Sequence, residues 1–219
     1  MRYGEWERFY LEILAEFGFS EEDDVKAAVV LDEILKDTSQ GLLEERIRNR
    51  RVNVYGAGPS LESMKNFPTG VNITADGSTS FLLEKKIIPE VIVTDLDGRL
   101  EDLIHANDRG SIIVVHAHGG NIEAIKRHAP KFKNVVGTAQ VRPVGKLYNF
   151  GGFTDGDRAV FMAEHFKAKE VHLYGMDFHG KTGRYSFSAD SEIKRKKLLW
   201  AEKLINYLIK QGAKVSYEG

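Results

Sequence analysis

The chain has 219 residues, 42% hydrophobic and 29% charged, and its 31 Lys and Arg nearly balance 32 Asp and Glu for a formal charge of −1. That length buries a full core, and near-neutral charge gives no electrostatic reason to bind nucleic acid or an anionic membrane. Cysteine is absent, which excludes disulfides, thiolate metal sites and a cysteine nucleophile. No apolar run reaches the roughly 18 residues of a membrane span, and acids interrupt the N-terminal apolar positions, so neither a span nor a secretory signal is expected and a cytoplasmic protein is.

Residues 1–50 hold 7 basic and 13 acidic side chains, the remainder 24 and 19. Within them Trp6, Phe9, Tyr10, Ile13, Leu14 and Phe17 recur at steps of three and four, which predicts a helix with one buried stripe that Gly18 ends. Ser20 and Asp23 have the spacing of a capping box opening a second helix through Lys36, and Leu42 to Arg50 predicts a third. The expectation is an N-terminal helical cap over 1–50 followed by a separate domain over 51–219.

From Arg51 short β-branched runs alternate with helix-like stretches. Strands are predicted at Val52 to Tyr55, Val71 to Ala75, Val91 to Thr94, Ile112 to Val115, Asn134 to Gly137, Val171 to Tyr174 and Ala213 to Tyr217. Several lack alternation, as expected of a parallel sheet covered on both faces, so the fold class is a doubly wound, Rossmann-like α/β domain. The last helix, Ser191 to Gln211, carries Lys194, Arg195, Lys196 and Lys197 beside an apolar stripe, which reads as a solvated basic face first and as phosphate attraction second.

Ligands of such sheets sit beyond the carboxyl ends of the strands. After the first strand, Gly56, Gly58, Pro59 and Ser60 form a tight turn able to open a helix and receive phosphate on its amides, although Leu61 stands where the dinucleotide fingerprint needs its third glycine. The second strand ends at Asp76, either a ribose or metal contact or a helix cap. The third ends in Thr94-Asp95-Leu96-Asp97-Gly98. On extended backbone both carboxylates face one side, a costly arrangement unless a hard cation such as Mg²⁺ lies between them. His116 and His118 follow the fourth strand, and Gly119, Gly120 and Asn121 resemble another anion-receiving turn. One of the histidines reads equally as a core residue. Thr138 and Gln140 offer uncharged donors and acceptors to a base or sugar. Asn149, Gly152, Phe153, Thr154, Asp155, Asp157 and Arg158 read as a substrate loop or as a capped helix start. Asp177 and Phe178 end the sixth strand, and His179, Lys181 and Arg184 beyond them either neutralise polyphosphate or solubilise a loop.

The series VYGAGPSLE, TADGSTSFLLEKKIIPEVIVTDLDG, VVHAHGGN, GTAQVRP, NFGGFTDGDRAVFMA and LYGMDF resembles the archaeal 6-hydroxymethyl-7,8-dihydropterin pyrophosphokinases of the MptE type, over nearly the whole chain from Arg51. Its middle part is also similar to thiamine pyrophosphokinases, whose pattern reads ADGG, PD and GDFDS; Ser78 and Gly98 depart from it. The resemblance implies ATP-dependent, Mg²⁺-requiring transfer of a diphosphate to the pterin hydroxymethyl group with release of AMP. Asp95 and Asp97, with Asp76, would hold metal, His116 or His118 would assist the hydroxyl, and the two glycine turns with Thr138 and Gln140 would hold ATP. Asp155 or Asp177 would pair with the amidine edge of the pterin while Phe153 or Phe178 stacks on it. The expected partners are ATP and a pterin, with no nucleic acid and no membrane, and homo-oligomer formation stays open. The rival reading is a sugar-nucleotide glycosyltransferase using Asp95-Leu96-Asp97 as a metal motif, followed by a non-catalytic nucleotide-binding module; a nicotinamide oxidoreductase ranks last.

Overall fold

The computed structural model describes residues 1–36, 40–180, 182–187 and 192–218. Chain order is α1 (Tyr3–Phe17), α2 (Glu21–Ile34), α3 (Gln40–Ile47), β1 (Arg51–Tyr55), β2 (Val71–Ala75), α4 (Ser78–Glu84), β3 (Val91–Thr94), α5 (Leu100–Asp108), β4 (Ile112–Ala117), α6 (Ile122–His128), β5 (Val135–Ala139), α7 (Asp155–His165), β6 (Glu170–Tyr174), α8 (Glu192–Lys210) and β7 (Val215–Glu218). All seven predicted strands form one parallel sheet in the order β5-β4-β3-β2-β1-β6-β7. Strand order therefore reverses between β1 and β6, the place where an open α/β sheet leaves a crevice. Among the described residues no helix is long and apolar enough to cross a membrane.

Burial explains the strand runs. Val91 to Val93 and Ile112 to Val115 are buried throughout, as non-alternating strands between two helical layers must be. β4 and β5 each run two residues past the predicted end, because His116 pairs with Thr138 and Ala117 with Ala139 in the ladder. After β1 the predicted helix is only a 3-10 turn, Pro59–Ser63.

The N-terminal helices share the core of the sheet: Trp6, Tyr10, Ile13, Ala27, Ala28 and Leu31 are buried in the same cluster as Val114 and Val136. Gly18, in left-handed backbone at φ 66°, ends α1, and the Ser20 hydroxyl accepts the Asp23 amide to open α2. The Trp6 indole donates to the Gln140 carbonyl at 2.7 Å. α8 begins, within the described residues, at Glu192; the predicted start at Ser191 lies outside them, as does Lys181.

Candidate active site

A cavity of about 620 Å³ opens at the carboxyl ends of β1, β2, β3, β4 and β6. β3 ends where Leu96 takes a left-handed φ of 71°, and β2 ends at Asp76 with φ 40°. Such backbone is uncommon for a residue other than glycine, more so for Leu than for Asp, and it turns carboxylates inward instead of continuing the strand. Asp95 and Asp97 therefore meet through this turn, not across an extended pleat, and the neighbouring strand adds Asp76. One oxygen of each carboxylate lies within 4.8 Å of the others. Gly98 is required beside them, since a Cβ there would collide with the Asp76 carboxylate.

The environment of the three acids differs. The Asp76 carboxylate accepts the Thr94 hydroxyl, and burial, then the charges of Asp97 and Asp95, push its pKa well above the ordinary range. Burial and Asp95 also raise Asp97. Burial opposes ionisation of Asp95 too, yet the hydrogen bond from His118 outweighs it and holds its pKa low. Oδ1 of Asp95 is buried without a hydrogen-bond partner. Three convergent carboxylates, one of them with an orphaned oxygen, fit a hard divalent cation, which takes carboxylate ligands and repays their desolvation. Asp155, at the start of α7, faces the same cluster, and burial followed by the charges of Asp95, Asp76 and Asp97 raises its pKa well above normal.

Neither histidine has a free ring nitrogen. His116 is buried at the end of β4, where an Arg158 N–H donates to its Nε2 at 3.0 Å. Its Nδ1 therefore carries the proton and faces the Thr138 hydroxyl at 3.4 Å, and burial with the Arg158 charge depresses its pKa. His118 Nε2 meets Asp95 Oδ2 at 3.3 Å and its Nδ1 accepts the Gly120 amide at 3.1 Å. Both histidines, expected to assist the acceptor hydroxyl, are thus engaged within the fold.

The two glycine turns are also occupied from within. Gly56 and Gly58 donate their amides to the Tyr174 and Gly175 carbonyls, and Asp177 Oδ2 takes both the amide and the hydroxyl of Ser60 at 2.8 Å. At the second turn Asp24 Oδ1 accepts the Gly119 amide at 2.8 Å, while Asp24 Oδ2 accepts the Tyr10 hydroxyl and the Gln140 side-chain amide. These glycines, expected to receive phosphate, line the cavity with their amides engaged within the fold. Asn121 holds the Asp95 and His116 carbonyls. His179 and Arg184 pair with Glu202 and Glu84.

Of the other sequence candidates, Phe153, Thr154, Asp155, Asp177, Phe178 and Gln140 line the cavity; Pro59, Ser60, Asn121, Thr138, Asn149, Gly152, Asp157 and Arg158 do not. Asp157 is the N3 residue of a capping box at α7, accepting the Phe153 and Thr154 amides at 2.7 Å. Asn149 donates to the Gln140 and Val141 carbonyls. The structure adds residues that sequence reasoning missed, Phe19, Asp23 and Asp24 from the α1–α2 elbow and α2, and it places in the cavity Lys194 and Lys197 of α8, for which phosphate attraction was the minority reading. For the lysines the helical period was a usable signal; for Asp24 none was.

Fold and cavity define a Rossmann-like α/β enzyme with its site at the switch point of the sheet. Residues 28–183 match the sequence model of the family described as 6-hydroxymethylpterin diphosphokinase MptE-like. The chain is 46% identical over 227 residues to the 6-hydroxymethyl-7,8-dihydropterin pyrophosphokinase of Methanocaldococcus jannaschii, covering 93% of this chain and 94% of that one. It is 45% identical over 221 residues to the protein of the same name from Methanothermobacter thermautotrophicus, covering 94% and 95%. The chain belongs to the MptE-like family. Among solved structures, the MAf glycosyltransferase of Magnetospirillum magneticum aligns with a TM-score of 0.51 at 14% identity over 88% of this chain and 37% of that one, a likeness of fold alone.

Proposed function

We propose that the protein transfers the terminal diphosphate of ATP to the hydroxymethyl oxygen of 6-hydroxymethyl-7,8-dihydropterin, releasing AMP, in the cytoplasm and with Mg²⁺ bound. The observation that carries this reading is the cluster of Asp76, Asp95 and Asp97 with the orphaned Asp95 Oδ1 at the switch-point cavity. These three residues would hold the ion, which when bound neutralises triphosphate charge. Family membership supports the diphosphotransfer and the pterin.

The chain's own residues supply position and charge, the main requirements of phosphoryl transfer. His118 keeps Asp95 ionised and oriented, Thr94 fixes Asp76, and Gly98 leaves room for that carboxylate. Phe153, in contact with Phe19 at 6.5 Å between ring centroids, offers a stacking face to the pterin, and Asp155 a carboxylate for its amidine edge. Because no histidine nitrogen is free, the hydroxyl proton leaves to water, and no strong base is needed when the leaving group is a stabilised phosphate.

The test offers purified protein ATP and Mg²⁺ with hydroxymethyl-dihydropterin, thiamine or nucleotide sugars in parallel. AMP formed with the pterin alone is expected. ADP as product, or turnover of a nucleotide sugar without ATP, would refute the reading. Asp95→Asn and Asp97→Asn should nearly abolish turnover with unchanged circular dichroism.

A further inference from the structure

α8 carries four consecutive cations, and the fold splits them. Arg195 and Lys196 are exposed, and Lys196 pairs with Glu192 at 3.3 Å. Lys194 and Lys197, one turn apart, are half-buried and line the cavity. The Lys197 ammonium lies 5.5 Å from the centroid of Phe19 and 5.6 Å from that of Phe153, and it makes no hydrogen bond or ion pair within the described residues. Its charge reaches Asp95, whose pKa it helps to lower, and the two ring faces offset part of the cost of half-burying the ammonium. The rings come from the α1–α2 elbow and from the loop before α7, so three segments converge to fix one charge in the cavity that holds Asp95 and Asp97.

We propose that Lys197 is a catalytic residue whose ammonium contacts the phosphate oxygens that gather negative charge as the diphosphate is transferred. This rests on the reaction proposed above. In that step the acceptor hydroxyl oxygen bonds to the β-phosphorus, and the bond from the β-phosphorus to the α–β bridging oxygen breaks. AMP leaves with that oxygen and its electron pair, and the hydroxyl proton goes to water. A cation already held by Phe19 and Phe153 needs no reorganisation as the charge appears, which is where a fixed donor acts most strongly.

Lys197→Met keeps the stem against the rings and removes the charge; Lys197→Arg keeps the charge with a different shape. AMP formation is measured for both, with Lys196→Met as control, and binding of magnesium tripolyphosphate is titrated by calorimetry. The Met variant is expected to lose roughly 10²- to 10³-fold in kcat, as for removal of one transition-state donor, with the KM for the pterin nearly unchanged. Tripolyphosphate binding should weaken about tenfold, the Arg variant should recover part of both, and Lys196→Met should behave as wild type. Where the wild type makes AMP, an unchanged kcat in Lys197→Met overturns the proposal. Where it makes none, the reaction reading fails on its own and the titration decides: weakened binding keeps Lys197 as a phosphate contact, unchanged binding overturns it.

Discussion

Replacing Asp76 by Asn tests the electrostatics of the cluster without metal. Asp76 is the buried member, and its Oδ1 accepts the Thr94 hydroxyl; Asn keeps that acceptor and nearly the same volume but removes one charge. Two unit charges at 4.8 Å, the upper limit of the separation in the cluster, repel by about 3.5 kcal/mol at an effective dielectric near 20. Asp97 is exposed, so solvent weakens its share, and a net gain of about 2 kcal/mol is expected. At roughly 2–4 °C per kcal/mol for a chain of this size, Tm rises by about 4–8 °C. The sign follows from linkage. Burial and the neighbouring aspartates raise the Asp76 pKa in the fold, so its stabilising contribution is full below the unfolded carboxylate pKa of about 4 and is lost as pH climbs through the raised folded value. The variant lacks this loss. Thermal melts in EDTA should therefore show a small gap between variant and wild type at pH 4 and the full gap at pH 8. Asn also tolerates the left-handed backbone at this position better, a pH-independent gain. A gap that does not widen with pH, or a variant less stable at pH 8, would refute the reasoning.

Wild type in Mg²⁺ at a hundredfold excess over Kd should gain about 2.7 kcal/mol, or about 5–11 °C in Tm, and Asp95→Asn should gain none; a wild-type melt indifferent to the ion contradicts the metal assignment. Gly98→Ser drives a side chain into the Asp76 carboxylate, so the metal-induced shift should vanish while far-ultraviolet dichroism persists; an intact shift would show that this contact is not limiting. Asp24→Ala strands the Gly119 amide, the Tyr10 hydroxyl and the Gln140 amide, at about 3 kcal/mol and so about 6–12 °C in Tm. An unaltered melt would remove Asp24 from the framework of the site.

The fold was legible because several buried, non-alternating runs announced a covered parallel sheet, and β4 and β5 were cut short where polar residues continued the ladder, as at His116 and Thr138. Asp95 and Asp97 were legible because they are local to one strand end. The period-two argument that joined them does not hold, however, since the left-handed Leu96 makes the turn. What stayed hidden was long-range. The carboxylate on the Ser60 amide is 117 residues away, and the one on the Gly119 amide is 95 away; no local pattern states that a glycine turn already has its anion. The basic run of α8 hid its two inward lysines for a related reason: helical period separates Lys194 and Lys197 from Arg195 and Lys196, but only tertiary packing says which pair faces the cavity.

These self-satisfied turns change how the cavity handles charge. Among the described residues, Asp23, Asp24, Asp76, Asp95, Asp97, Asp155 and Asp177 line it against Lys194 and Lys197. A site of that balance repels a triphosphate, and the amides that would offset the repulsion elsewhere are engaged by Asp24 and Asp177. On the proposed reaction, nucleotide entry then depends on divalent cation at the Asp76, Asp95 and Asp97 oxygens. Linkage makes that dependence mutual, so the nucleotide must tighten the ion by the factor that the ion tightens the nucleotide. The buried acids that make the empty cluster costly thus also couple the two ligands. On the proposed reaction Lys197, held against two rings in the same cavity, meets the charge that the ion does not cover.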